Sequence, residues 1–217
     1  MDFRKCLTVT LFLLPAMLSV SARQQEDGIN AIKTADGFVL VWNQSDIHFT
    51  LAVKGKDVRP LNSTEHVFFN VDGVAFQVQA VAISEFMKGS RKKKPDNRSI
   101  LEAHRDWESQ FIESSLLGKK LSVQTALHKL SDGSDALLWK FDMPEMPQGM
   151  NSSAKEQIYL TVVSGDHVIL LNGAVEGEVA ESAVQKFLLD TIATLKVSPK
   201  PTNLRELQET IRKGNSQ

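Results

Sequence analysis

Apolar positions along this chain follow two rhythms, one of two residues and one of 3.6, and they meet most clearly between Gln157 and Leu195. Gln157–Val163 (QIYLTVV) and His167–Asn172 (HVILLN) flank Ser164-Gly165-Asp166, which predicts two strands joined by a tight turn. Neither strand alternates cleanly. Tyr159, Thr161 and Val163 are almost as apolar as Ile158, Leu160 and Val162, as expected of strands in the middle of a sheet covered on both faces. Ala180, Val184, Phe187, Leu188, Thr191, Ile192 and Leu195 then recur at helical spacing and predict a helix over one of those faces.

Upstream the same reading predicts hairpins. Phe38–Trp42 pairs with Ile47–Lys54, whose Ile47, Phe49, Leu51 and Val53 share one side. Val67–Val71 pairs with Val74–Ile83 around Asp72-Gly73, a dipeptide suited to a two-residue turn. Ser99-Ile100-Leu101-Glu102 reads as a capping box opening a helix to about Leu117, with Ile100, His104, Trp107 and Phe111 in its apolar stripe and Gly118 at its end. Leu121–Leu130 and Ala136–Phe141 pair across residues 131–134, and Pro144–Ser153 is a loop. Two prolines follow the last long helix, and Asn203 caps a short one carrying Leu204, Leu207 and Ile211. The expected class is α+β: an antiparallel sheet of about seven or eight strands, mostly hairpins, with two main helices and a short C-terminal one. Short connections of this kind are compatible with several strand orders.

The N-terminus alters the domain picture. Arg4 and Lys5 precede an apolar run, Cys6–Val20, and Val20-Ser21-Ala22 places small residues before a cleavage point. That layout predicts a signal peptide over 1–22, followed by a flexible mature N-terminus over 23–36, one domain over 37–198, and a proline linker with the short helix over 199–217. The single Cys, Cys6, falls inside the signal, so the mature chain has no disulfide and depends on its core. The expected location is periplasmic or extracellular, with the lack of disulfides favouring a periplasm. Asn43, Asn62, Asn97 and Asn151 stand in Asn-x-Ser/Thr triplets, which are acceptors only in a eukaryotic secretory pathway. The formal charge is −1, and removing Arg4, Lys5 and Asp2 makes it one unit more negative. No global field for nucleic acid follows.

The element order, the run YLTVVSGDHVILLNG and the closing helix FLLDTIATLKV resemble the Mog1/PsbP-like group of small exported proteins. The resemblance implies a sheet sandwiched by helices and a binding or accessory role. The group shares no active site, so no site residue is carried over, and fold alone does not assign a function.

Candidate chemistry is sparse. None of His48, His66, His104, His128 and His167 stands at a metal-ligand spacing, and no metal or cofactor is expected. His104 is distinctive because it sits in an apolar stripe near Trp107, Asp106 and Glu108, where a buried imidazole either serves a site or is simply satisfied by a neighbour. No Gly-x-Ser-x-Gly or glycine-rich phosphate loop occurs. Lys88, Arg91, Lys92, Lys93 and Lys94 form a basic loop fit either for an anionic partner or for simple solvation. Met143, Met146 and Met150 punctuate a proline-rich loop; three thioethers can hold Cu(I), or they can act as adaptable packing and partner contacts.

The expected function is therefore that of an exported, non-catalytic binding or accessory protein contacting a partner protein or small ligand. The alternatives are an extracytoplasmic hydrolase with a His/carboxylate pocket near His104 or His167, and a copper handler through the methionine loop.

Overall fold

A computed structural model of the chain describes residues 28–44, 46–61, 67–88, 95–116, 118–145 and 153–214. Residues 1–22, read above as a signal peptide, lie outside them. The fold is α+β and its strands form two antiparallel sheets. The four-stranded sheet runs β1 (Gly28–Lys33), β2 (Gly37–Gln44), β3 (Ile47–Lys54) and β11 (Lys196–Ser198). In the seven-stranded sheet, β4 (Val58–Leu61), β5 (Val67–Val71), β6 (Val74–Ala82), β10 (His167–Glu176), β9 (Ala154–Ser164), β8 (Asp135–Asp142) and β7 (Gln124–Lys129) lie side by side in that order. The helices are α1 (Ile83–Phe86), α2 (Asn97–Ser115), α3 (Glu181–Ile192) and α4 (Leu204–Gly214).

The single sheet expected from the hairpins is thus two. Alternation fixes which side of a strand is buried, but not which sheet a hairpin joins. Three segments are strands that the sequence did not predict. Gly28–Lys33, within the stretch read as a flexible N-terminus, pairs with β2, Val58–Leu61 pairs with β5, and Lys196–Ser198, read as the helix stop, pairs with β3. The central placing of β9 and β10 is as the sequence predicts: β10 is the middle strand of seven. The Asp72-Gly73 turn has φ of 49° and 88°, the left-handed pair that a two-residue hairpin requires.

Three layers result. Between the sheets, and under α3, lies one core of Phe49, Leu51, Phe76, Ile158, Leu160, Ile169, Leu171, Val184 and Leu188. Gly173 lets α3 approach β10: a Cβ there would lie 2.6 Å from Val184. On the opposite face of the seven-stranded sheet, α2 covers a second core of Ile100, Leu101, Leu137, Trp139, Phe141, Tyr159, Val168 and Leu170. Alternation along β8, β9 and β10 supplies both cores at once, which is why these strands read as continuous apolar runs.

A functional candidate under α2

α2 begins one turn earlier than the Ser99 capping box implies. Asp96 is the cap, its carboxylate accepting from the Ser99 N–H at 2.7 Å, and an Arg98–Glu102 pair at 2.9 Å supports the first turns. The buried side carries Ile100, Leu101 and His104. Trp107 and Phe111, expected in the buried stripe, are instead 37% and 62% exposed, because the sheet passes beneath the other flank of the helix. Glu108 takes the half-buried place one turn beyond His104.

His104 is completely buried, and neither Nδ1 nor Nε2 has a hydrogen-bond partner among the described residues. Its neighbours are aromatic. α1, held by the Ile83 N–H donating to the Asp166 carbonyl at 2.8 Å, brings Phe86 edge-on to the imidazole at 5.2 Å, and Trp107 lies at 5.9 Å. On the sheet, Trp139 and Tyr159 stack at 3.9 Å with Phe141 beside Tyr159 at 6.0 Å. The Trp139 Nε1–H is likewise buried without a partner. The row continues across the sheet into Asn172 and Gln77, both buried, with Asn172 donating to Gln157 Oε1 at 2.9 Å and to the Ile158 carbonyl at 3.2 Å.

Desolvation governs the protonation of this region. Burial lowers the His104 pKa to about 4, so the ring is neutral at pH 7, and raises the Glu108 carboxyl to about 7. Tyr159 is raised by its own burial and, secondarily, by the nearby Glu108 charge. A neutral imidazole offers one N–H and one lone pair. Leaving such a group buried and unpaired costs about 1–3 kcal/mol, and native proteins rarely tolerate it without a reason. The relay that a hydrolase needs, a hydroxyl bonded to its base, is not made at His104.

The other sequence candidates do not converge here, with one partial exception. Met143 packs, half-buried, against the α2 core. Met146 and Met150 lie outside the described residues, as do Arg91, Lys92, Lys93 and Lys94; Lys88 is exposed just after α1. His66 is also outside them. His48 and His128 sit on β3 and β7, and His167 Nε2 lies 3.3 Å from Asp46 of the β2–β3 turn. Among the described residues, no group of three or more His, Cys, Asp or Glu side chains is placed to hold a metal ion. No described helix is long and apolar enough to cross a membrane.

The Asn-x-Ser/Thr positions divide sharply. Asn43 is fully buried and exchanges two 2.9 Å hydrogen bonds with the backbone of Thr202, pinning the chain just before α4. A glycan there would break both. Asn97, by contrast, is exposed at the first turn of α2, and Asn62 and Asn151 lie outside the described residues.

Tyr159 is the member of the site that sequence reasoning missed. Glu108 already stands beside His104 in the sequence, but nothing local marks Tyr159, which reaches α2 only through strand order. No family model matches the chain, and no curated protein matches it.

Proposed function

We propose that the chain is an exported, non-catalytic binding protein of Mog1/PsbP-like fold, cleaved after Ala22, which holds a small ligand between α2 and the seven-stranded sheet. The observation that carries this reading is His104: a fully buried imidazole with both nitrogens unpaired among the described residues, set against the rings of Phe86 and Trp107. A ligand supplying one acceptor and one donor would satisfy the ring, and the aromatic surroundings suit its apolar part. Binding is favoured over hydrolysis because, among the described residues, His104 makes no hydrogen bond to a hydroxyl.

The test is native mass spectrometry of wild-type and His104→Leu protein purified from the natural host. The expected result is a mature chain starting at Arg23 with a retained small molecule that the variant loses while remaining folded. Equal retention by the variant, or no retained molecule in either, overturns the binding site. A retained signal peptide overturns the location.

A further inference from the structure

The imidazole of His104 stands at one corner of a triangle of rings. Between centroids, Phe86 is 5.2 Å from it and Trp107 5.9 Å, and those two are 6.1 Å from each other. His104 has no exposed surface, whereas Trp107 is 37% exposed and Phe86 is half-buried. The rings that border the imidazole therefore also border solvent. They ride on helices of very different firmness. α2 has 19 residues, is capped by Asp96, and is anchored through the buried Ile100, Leu101 and His104. α1 is one turn of four residues, none of them fully buried, and Ala82 at its N-cap makes no side-chain hydrogen bond. A single helical turn has no stability of its own. α1 keeps its place through the Ile83 N–H on the Asp166 carbonyl at 2.8 Å, and through Ile83, Phe86 and Met87, which pack partly buried against the α2 core. Lifting α1 uncovers little apolar area; lifting α2 uncovers that whole core.

We infer that α1 is a hinged cover over His104, and that Phe86 swings off the imidazole to admit the ligand. The hinge is the junction of β6 and α1, where strand pairing ends with Ala82 opposite His167. With Phe86 withdrawn, the ring is open to solvent beside Trp107; with Phe86 returned, a bound molecule is shut away from water. This inference rests on the binding reading above and adds the way in and the element that moves.

The experiment measures carbethoxylation of His104 by diethyl pyrocarbonate in the purified full chain at pH 7, read residue by residue by mass spectrometry. The reagent attacks neutral imidazole, the form His104 holds at that pH, so access alone limits its rate. His128, on β7, is the internal reference. In the wild type the His104 rate should be nearly independent of urea below the unfolding transition, because opening one turn exposes little surface. A rate that climbs with urea as steeply as global unfolding overturns the cover. Ile83→Pro deletes the N–H that ties α1 to Asp166. Proline suits the first position of a helix, and Ala82 at φ −65° and ψ 134° accepts a following proline. The His104 rate should rise about threefold to tenfold, the worth of one hydrogen bond. Phe86→Ala, which removes the ring from the imidazole, should raise it by about tenfold or more. In both variants the His128 rate should stay at the wild-type value. An unchanged His104 rate in Phe86→Ala, or a rise shared equally by His128, overturns the inference. These rates test the cover with no ligand present, whereas the binding site itself stands or falls with the native mass measurement.

Discussion

The two faces of the seven-stranded sheet treat buried polar groups differently. On the α3 side, Lys140 projects between Glu156 and Glu181, with Nζ–O distances of 2.8 and 2.6 Å, and the Lys140 and Glu156 side chains are 16% and 10% exposed. Burial alone would lower the Lys140 pKa, but hydrogen bonds to the two carboxylates outweigh it and raise it. Trp42 Nε1 is a polar atom of that core left without a partner among the described residues. On the α2 side, both His104 nitrogens, Ser109 Oγ and Trp139 Nε1 have no hydrogen-bond partner among the described residues. One sheet, built from the same three central strands, carries a closed ion-pair triad on one face and a larger share of the unpartnered buried polar atoms on the other. Polar groups that complete each other inside the chain serve the fold; polar groups that complete nothing inside it point to something outside.

The contrast can be broken by mutation. The largest effect belongs to the closed face: Leu160→Ala, at a fully buried position, should cost about 2–5 kcal/mol in urea unfolding. Lys140→Met leaves Glu156 buried and uncompensated and should cost about 2–4 kcal/mol, less than a fully buried pair because Glu181 stays half in water. A neutral result there would show that the triad does not stabilise the closed face. On the α2 face the sign reverses. His104→Leu should stabilise the free protein by about 1–2 kcal/mol, since an apolar side chain replaces unpaired nitrogens.

The pH dependence sharpens the same comparison. His104 has its pKa lowered to about 4, so the unfolded state, protonating near 6.5, gains a proton first; this term removes stability as pH falls from 6.5 toward 4. Glu108 is raised to about 7, so its term is full below about 4.5 and lost as pH rises toward 7. Between roughly 4.5 and 6.5 the two slopes oppose and largely cancel in the wild type. Glu108→Gln should then gain stability with rising pH across that window, and His104→Leu should lose it. Parallel slopes in both variants would refute the pair of assignments. The smallest effect is expected of Phe111→Ser, within about 0.5 kcal/mol, because the ring is exposed.

Much of the framework was legible locally. β9, β10 and α3 announce themselves through apolar runs and helical spacing, and the Asp72-Gly73 turn and the Asn203 cap, accepting from Arg205 and Glu206 N–H, need only nearby residues. β1, β4 and β11 were not legible. GINAIK, VRPL and KVS carry little strand preference of their own and become strands by pairing with free edges of neighbours. The cap of α2 fell between two rival signals three residues apart, and Asp96 prevails over Ser99. His104 stood out in its apolar stripe, but which flank of that stripe is buried depends on where the sheet lies.

The sequence by itself determined which segments are strands and helices in the middle of the fold, and that one buried stripe contains a histidine, because spacing and side-chain chemistry act over a few residues. Only the tertiary structure decided that there are two sheets, that Phe111 is largely exposed and Trp107 partly so, and that the Glu108 charge acts on Tyr159 from some fifty positions away. Those outcomes depend on strand order and on the seating of α2 across β8 and β9, where desolvation and long-range contact, invisible to local pattern, set the character of the site.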